Sequence, residues 1–143
     1  MIKSTMLFMF LVSFCINAQI IKDDVLGKWI ATDKTVAVQV YKQGNDFKAK
    51  VIWFDERLAS GTPMNSRQDT HNPNENLRTR KVMGMDILNG LKFNSENERW
   101  ENGKIYDASS GRTWDTFAEI NKKGNYMFVV FGSGPGLEKR FIS

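Results

Sequence analysis

Apolar and polar side chains alternate with a period of two over most of this chain, and this feature restricts its fold more than any other. In the stretch Thr35–Lys42 every second residue is a valine: Val36, Val38 and Val40. Successive side chains of a β-strand point to opposite faces of the sheet, so the alternation predicts half-buried strands rather than helices. The turn-forming residues Gln43–Asp46 then predict a hairpin with the next alternating stretch, Phe47–Phe54.

Similar stretches recur along the chain and bring the number of predicted strands to about eight. They are Gly27–Asp33, Thr35–Lys42, Phe47–Phe54, one strand within Met83–Asn94, Gly103–Asp107, Arg112–Ile120, Tyr126–Phe131 and Leu137–Ile142. Most are joined by tight turns, and such spacing is typical of a sandwich or a barrel. The mostly local connections favour an antiparallel up-and-down meander that closes on itself and so leaves no exposed edge strand, and the sequence therefore predicts an all-β fold, a β-barrel.

One segment, Asp55–Lys81, is long, polar and free of alternation. A loop of this length in a compact domain usually carries local structure or function. Asn72 suits an N-cap, Pro73 suits the first helical position, and Glu75 falls in the first turn. We therefore expect a single helical turn that ends near Arg78 and lies across one end of the barrel.

The N-terminus predicts export. Lys3 supplies a positive charge, Met6–Phe14 is apolar apart from one serine, and Ala18 precedes a position where a signal peptidase could cut. A membrane-spanning helix needs about 20 apolar residues, so this run is too short to be one. Residues 1–18 are expected to be a cleaved signal peptide and residues 19–143 one exported domain, periplasmic or extracellular, with no integral membrane segment.

Cys15 leaves open an alternative, lipid attachment at the end of the apolar run, although the bulky Phe14 stands where such a site favours a small residue. Cys15 is the only cysteine of the chain. Cleavage after Ala18 would therefore leave a domain without a disulfide, which packing alone must stabilise. Removing Lys3 also lowers the formal net charge of +4 by one, and so weak a charge does not predict nucleic-acid binding.

The residues offer little for catalysis or for a metal. His71 is the only histidine, so a zinc or copper site lacks nitrogen and sulfur ligands once the cysteine is removed. A hard-cation site using Asp69, Glu75 and loop carbonyls stays open. The run Gly132–Gly136 has its serine one place early for a Gly-x-Ser-x-Gly nucleophile motif and is expected to be a turn between the last two strands. We predict no cofactor and no catalytic residue.

Arg78 and Arg80, followed by Lys81, form the densest basic spot in the chain. A guanidinium group offers a planar, bidentate fork, so these arginines could bind a carboxylate or phosphate at the barrel mouth. The alternative is that they are solvated charges that pair with acids of their own loop.

Four aromatic residues are expected to line the barrel interior: Trp53, Trp100, Tyr106 and Trp114. An eight-stranded barrel can be filled by its own side chains or can hold one small ligand. The sequence leaves both possibilities open for this group.

Gly27, Trp29 and Arg140 are predicted to close the barrel. The first and last strands of a closed meander are neighbours, so Arg140 could lie over the Trp29 indole in a cation–π contact. Gly27 would let the chain pass close under the ring. This role is structural, and replacing Trp29 is expected to reduce stability more than binding.

Several short motifs, taken together, resemble a known family. Gly27-x-Trp29 with a C-terminal arginine is similar to the lipocalin and calycin arrangement. More specific motifs follow in order: Ile52-Trp53, Asp69-x-x-Asn72-Pro73, Leu77-Arg78-x-Arg80, Gly84, Gly90, Trp100-x-x-Gly103-x-Ile105-Tyr106-Asp107 and Gly111-x-Thr113. They resemble the prokaryotic DUF2147 family of small exported proteins. The resemblance implies a lipocalin-like barrel of eight strands and no established activity, although this chain lacks the longer final strand usual in the family.

Three functions remain compatible with these sequence features. The first is a barrel that binds a small apolar or amphiphilic molecule, with Arg78 or Arg80 meeting an acidic head group. The second is an envelope structural or protein-interaction module with a filled barrel and the segment Asp55–Lys81 as its contact surface. The third, an enzyme, lacks a convergent set of catalytic groups. Cavity volume distinguishes the first two, since small-molecule sites occupy about 300 to 1,000 Å³.

Overall fold

Eight β-strands make up the computed structural model, which describes residues 19–59, 61–132 and 138–143. They are β1 (Gly27–Ala31), β2 (Val36–Gln43), β3 (Asp46–Phe54), β4 (Asp86–Asn94), β5 (Arg99–Asp107), β6 (Arg112–Ile120), β7 (Tyr126–Phe131) and β8 (Glu138–Ile142). Each strand pairs antiparallel with the next one in the chain, and β8 returns to pair with β1. The predicted fold class, a closed up-and-down antiparallel barrel, is therefore confirmed.

Three sequence predictions fall partly or wholly outside the described residues. They are the signal peptide at residues 1–18, the turn Gly132–Gly136, of which only Gly132 is described, and the first residue of the predicted final strand, Leu137. Within the described part of the chain, no helix has the length and apolar character needed to cross a membrane.

A β-bulge explains why β5 begins four residues before the predicted start at Gly103. Trp100 lies opposite Ala118, whereas Gly103 lies opposite Thr116, so β5 has one more residue than β6 over this interval. Asn102 takes a positive φ of 61° inside the bulge. An extra residue interrupts the alternation of side chains, and the first half of β5 therefore does not show the period of two.

A second bulge reverses the orientation predicted for Trp53. Ala37 lies opposite Trp53 while Val38 lies opposite Val51, so one step along β2 matches two steps along β3. The next residue, Phe54, is buried, and Trp53 is 37% exposed on the outer face. The prediction that Trp53 lines the interior is corrected for this reason.

The N-terminal segment Ile20–Leu26 closes one end of the barrel. The Trp29 indole donates to the Val25 carbonyl at 2.8 Å, and the Trp100 indole donates to the Lys22 carbonyl at 3.0 Å. Both rings are buried, at 2% and 0% exposure. The Phe47 ring packs edge-on against Trp100 with centroids 6.3 Å apart. This end is therefore filled by core side chains.

The segment between β3 and β4 folds back on itself near the other end. It contains two 3-10 helices, Glu56–Ala59 and Glu75–Leu77. The second matches the predicted helical turn, but its N-cap is Asn74 instead of Asn72. The side chain of Asn72 accepts from the Asn74 amide at 2.9 Å and donates to Asp69 at 2.7 Å, so it is already engaged before the helix begins.

Candidate functional site

A pocket of about 540 Å³ opens at the barrel end opposite the N-terminal segment. Its walls come from the starts of β2, β4, β6 and β8 and from the ends of β3, β5 and β7. Most of the wall is apolar, and it includes Val36, Val51, Phe54, Met85, Ile105 and Trp114. Val51 and Phe54 with Val82 and Met85 form a core cluster of their own. The pocket is therefore a preformed apolar space above the filled half of the barrel.

The 3-10 helix Glu56–Ala59 contributes Leu58 to the rim of this pocket. The Leu58 side chain is 63% exposed. Its apolar surface faces solvent beside the opening, where a bound molecule would cover it.

Lys139 points into the pocket from β8. It lies opposite Val129, which is buried, and facing residues of an antiparallel pair project from the same side of the sheet. Its Nζ donates to Asp33 Oδ2 at 3.2 Å and to Thr35 Oγ1 at 2.6 Å. Partial burial acts to raise the pKa of the Asp33 carboxyl, but hydrogen bonds from Thr35 and Lys139 hold that pKa below its ordinary value.

Arg67 is the second cation of the rim. Its guanidinium lies 5.9 Å from the ring centroid of Phe54, which lines the pocket. The Arg67 carbonyl accepts from the amide of the buried Val82 at 3.0 Å, so the backbone that carries this side chain is held against the residues that precede β4. Among the residues that the structure describes, no carboxylate lies within 4.0 Å of the Arg67 guanidinium, although other arginines of the chain have such partners.

Two carboxylates also line the pocket, and both are engaged by their own neighbours. Asp55 accepts from Arg57, which lowers the pKa of the Asp55 carboxyl. Asp107 accepts from Ser109 and Ser110 in the β5–β6 turn; burial acts to raise its pKa, and these hydrogen bonds hold the pKa below the ordinary value.

Trp114 lines this pocket from the inner face of β6, opposite Ile105. Tyr106 also touches the pocket, but it lies opposite the exposed Thr113, so the interior position predicted for Tyr106 is corrected to the other face of β5. Trp100 lies in the closed end and does not reach the pocket, and Trp53 is on the outer face. The predicted arginines do not line it either. Arg78 donates to the Asn72 carbonyl at 2.8 Å, and Arg80 donates to Asp69 at 3.0 Å.

Arg140 and Trp29 are not brought together. Arg140 is exposed on the outer face of β8, with its guanidinium 5.6 Å from the ring centroid of Phe128. Trp29 is directed into the barrel, so the predicted cation–π pair is corrected to Arg140 and Phe128. A Cβ on Gly27 would have no atom of the described residues within 4 Å, and the φ of 125° at this residue, not a close approach to the ring, is what favours glycine there.

Asp69 is the centre of a buried hydrogen-bonded network that fastens the long segment to β5. Its side chain is 0% exposed. One carboxylate oxygen accepts from the Tyr106 hydroxyl at 2.6 Å, and the other accepts from Asn72 at 2.7 Å and from Arg80 at 2.9 and 3.0 Å. Burial and the hydrogen bond to Asp69 raise the pKa of Tyr106 to about 12.

This network also bears on the hard-cation site that the sequence left open. The Asp69 oxygens are occupied by protein donors, and Glu75 is exposed and pairs with Arg78 at 3.5 Å. The described residues contain no group of three or more metal-ligating side chains placed to hold an ion.

Gly111, in the β5–β6 turn, lies directly against the segment that Asp69 fastens. A Cβ at this position would lie 2.0 Å from the His71 carbonyl oxygen. Gly124 in the β6–β7 turn has the same φ of 71°, but a Cβ there would have no described atom within 4 Å. The two glycines therefore differ in packing and share a backbone conformation.

Replacing Gly111 with alanine is expected to lower the free energy of unfolding by about 2 kcal/mol more than replacing Gly124 with alanine. Both variants acquire the strain of a left-handed residue, about 1 kcal/mol, but only the Gly111 variant must displace the His71 backbone. Urea denaturation of the two variants measures the difference. Equal midpoints would show that this close approach contributes nothing to stability.

Comparison with known proteins supports the fold and gives the family. Superposition on protein HP1028 from the human pathogen Helicobacter pylori, which is described as belonging to the lipocalin family, has a TM-score of 0.66 with 18% identity and covers 82% of this chain and 81% of that one. No curated protein sequence matches the chain significantly. The family model for DUF2147, described as an uncharacterized protein conserved in bacteria, matches residues 27–132. Since this match spans well over half of the sequence, the resemblance is confirmed and the chain belongs to the DUF2147 family.

Proposed function

We propose that this protein binds one small apolar or amphiphilic molecule in the pocket at the open end of the barrel. The observation that carries the proposal is the pocket itself. Its volume of about 540 Å³ falls within the range of about 300 to 1,000 Å³ that small-molecule sites occupy. A barrel filled throughout by its own side chains would leave no such space.

The composition of the pocket supports an apolar or amphiphilic ligand. Its walls are mostly aliphatic and aromatic, while its polar groups stand at the rim. Burying apolar ligand surface there contributes about 25 cal/mol per Å². The wall is also preformed, because Val51 exchanges backbone hydrogen bonds with Gly84 and Met85 at 2.9 and 3.0 Å. A preformed wall reduces the ordering that binding must impose.

Replacing Val36 with phenylalanine is expected to weaken binding of a neutral apolar probe, N-phenyl-1-naphthylamine, by about tenfold or more. Val36 lines the pocket, so the larger ring occupies space that the probe needs. The matched control is the same substitution at Val130, on the outer face of β7 and outside this pocket. Fluorescence titration measures both affinities, and thermal unfolding shows whether each variant is folded. Equal binding by the two folded variants would place the probe elsewhere.

Native mass spectrometry of the protein purified from its own compartment tests the same proposal without a chosen probe. A small molecule that co-purifies at one copy per chain, and is lost from the Val36→Phe variant, supports a binding protein. A wild-type chain that is consistently bare, and that also fails to bind the neutral probe, would contradict it.

A second candidate is a protein-interaction module that uses the segment Asp55–Lys81. Two apolar side chains of this segment are exposed, Leu58 and Leu77. Native mass spectrometry also tests this candidate, which predicts a mass equal to the chain plus a second polypeptide. The Val36→Phe variant should keep this second polypeptide, and a Leu58→Ser, Leu77→Ser double variant should lose it. That result would favour this candidate over the first.

Export is part of the proposal and rests on the N-terminal sequence. The same mass measurement shows where the chain begins. We expect it to correspond to residues 19–143, since a cut after Ala18 fits the pattern of a positive charge, an apolar run and a small residue. A chain that retains residues 1–18, or one that carries a lipid on Cys15, would contradict cleavage at this position.

A further inference from the structure

The groups at the rim of the pocket differ in how many hydrogen bonds they have left to make. Asp55 is paired with Arg57 at 2.6 Å, and both oxygens of Asp107 accept from serine hydroxyls in its own turn at 2.6 Å. These two carboxylates are therefore satisfied within the protein. Because their oxygens already accept hydrogen bonds from neighbouring residues, a cationic or hydroxylated ligand would gain little by binding to them.

Arg67 has donors to offer. A guanidinium group carries five N–H donors in a fixed plane, and within the described part of the chain none of them makes an ion pair within 4.0 Å. The group lies over the Phe54 ring, 5.9 Å from its centroid, at the boundary between the apolar wall and the opening. A guanidinium in this position can donate to a ligand at the opening while it stays in contact with the ring.

Lys139 adds a second cation on the β8 side of the same pocket. Its ammonium group has three donors, of which Asp33 and Thr35 take two, at 3.2 and 2.6 Å. One donor remains. Asp33 offsets the positive charge of Lys139. Lys139 therefore contributes mainly a hydrogen bond to the ligand, and Arg67 contributes the positive charge.

We propose that the ligand is an amphiphile with an acidic head group, a carboxylate or a phosphate monoester, which Arg67 binds at the pocket mouth with Lys139 as a second donor. The inference rests on the proposed function and names the class of molecule for that site. The apolar wall takes the tail, and the planar fork of the guanidinium matches two oxygens of the acid. With a head group that has no negative charge, the guanidinium donors of Arg67 would bind water instead of the ligand.

The test uses displacement of N-phenyl-1-naphthylamine, which is uncharged, by amphiphiles that share one tail. Dodecanoate carries an acidic head, dodecanol a neutral head and dodecyltrimethylammonium a cationic head. We expect wild-type protein to bind dodecanoate about tenfold more tightly than dodecanol, and the cationic amphiphile no better than dodecanol. Dodecyl phosphate, used in the same way, distinguishes a phosphate head from a carboxylate head.

Arg67→Gln is expected to reduce the preference for dodecanoate over dodecanol to about twofold while the affinity for dodecanol stays the same. Arg78→Gln is the matched control, because Arg78 belongs to the same segment and carries the same charge but does not line the pocket. It should keep the tenfold preference. Raising the salt concentration should weaken dodecanoate binding and leave dodecanol binding unaffected.

The outcomes separate the two proposals. If wild-type protein binds the neutral probe but dodecanoate and dodecanol displace it equally, the acidic head group is excluded and the apolar binding site stands. If Arg67→Gln and Arg78→Gln lose the preference equally, the effect is general electrostatics and the assignment to Arg67 is wrong. If folded wild-type protein does not bind the neutral probe or any of the amphiphiles, the proposed function itself fails.

Discussion

Replacing Trp29 with alanine is expected to lower the free energy of unfolding by about 4 kcal/mol and to leave the affinity for the neutral probe unchanged. The ring is 2% exposed and packs in the larger core cluster at the closed end. Its removal leaves a cavity that the surrounding strands can fill only in part. The indole also donates to the Val25 carbonyl at 2.8 Å, and in the alanine variant this carbonyl would lose its hydrogen-bond partner. Binding is spared because the pocket is at the opposite end.

Trp53 offers a matched control for this substitution. It is a tryptophan on the outer face, 37% exposed, and it lines neither the core nor the pocket. Trp53→Ala should lower the free energy of unfolding by less than about 1 kcal/mol. Urea denaturation followed by circular dichroism measures both variants. A Trp29→Ala protein that unfolds at the same urea concentration as wild type would refute the structural role of this residue.

Replacing Asp69 with asparagine is expected to lower the free energy of unfolding by about 3 kcal/mol, or roughly 10 °C in Tm. The carboxylate is fully buried and accepts hydrogen bonds from Tyr106, Asn72 and Arg80. An amide has the same shape, but its N–H₂ group would face hydrogen-bond donors where the carboxylate had an acceptor oxygen. It also removes the negative charge that pairs with Arg80. The control is Asp115→Asn, because Asp115 is exposed and pairs with the exposed Lys104, an interaction worth at most about 1 kcal/mol.

A pH series gives the Asp69 variant a second readout. The pKa of Tyr106 is raised from 10.0 to about 12 in the folded state, by burial and by the hydrogen bond to Asp69. A tyrosine whose pKa is higher in the folded state stabilises the protein fully below pH 10, and this contribution is lost as the pH rises through 12. Wild-type protein should therefore lose stability more steeply in this window than Asp69→Asn. Identical slopes would show that Tyr106 does not respond to Asp69.

The fold is predictable from the sequence because alternation and turn residues are local signals. The strands β6 and β7 begin and end at the predicted residues. Prediction fails where a single extra residue enters a strand. The bulges in β3 and β5 are set by how each strand pairs with its neighbour, and no local pattern marks the inserted residue. That is why the alternation places Trp53 on the wrong face and does not reveal the start of β5.

The candidate site is predictable only in part. Trp114 can be identified because it lies on a regular part of β6 and its alternation directs it inwards near the open end. Tyr106 is directed to the other face of β5 and is held by Asp69 of the long segment, so alternation alone does not place it at the pocket. The local density of positive charge in the sequence favours Arg78 and Arg80 as ligand-binding residues. The cation of this segment that lines the pocket is instead Arg67, and its position depends on how the segment folds back. Lys139 is absent from the predicted site although a signal for it exists, since it is two residues from the buried Phe141 and shares its face of β8.

The pairing of β1 with β8 joins the two ends of the sheet, and within the described part of the chain it has the fewest residue pairs in register. Among the described residues, two pairs are in register there, Ile30 with Ile142 and Ala31 with Phe141, and the Thr32 amide also donates to the Arg140 carbonyl at 3.0 Å. Every other pairing joins strands that follow each other in the chain. This seam must therefore bear the loop-closure entropy of the whole sheet with the fewest described residue pairs in register. It is the place where the barrel would open first, and an opened seam presents two unpaired strand edges through which two copies of the chain could exchange their last strands.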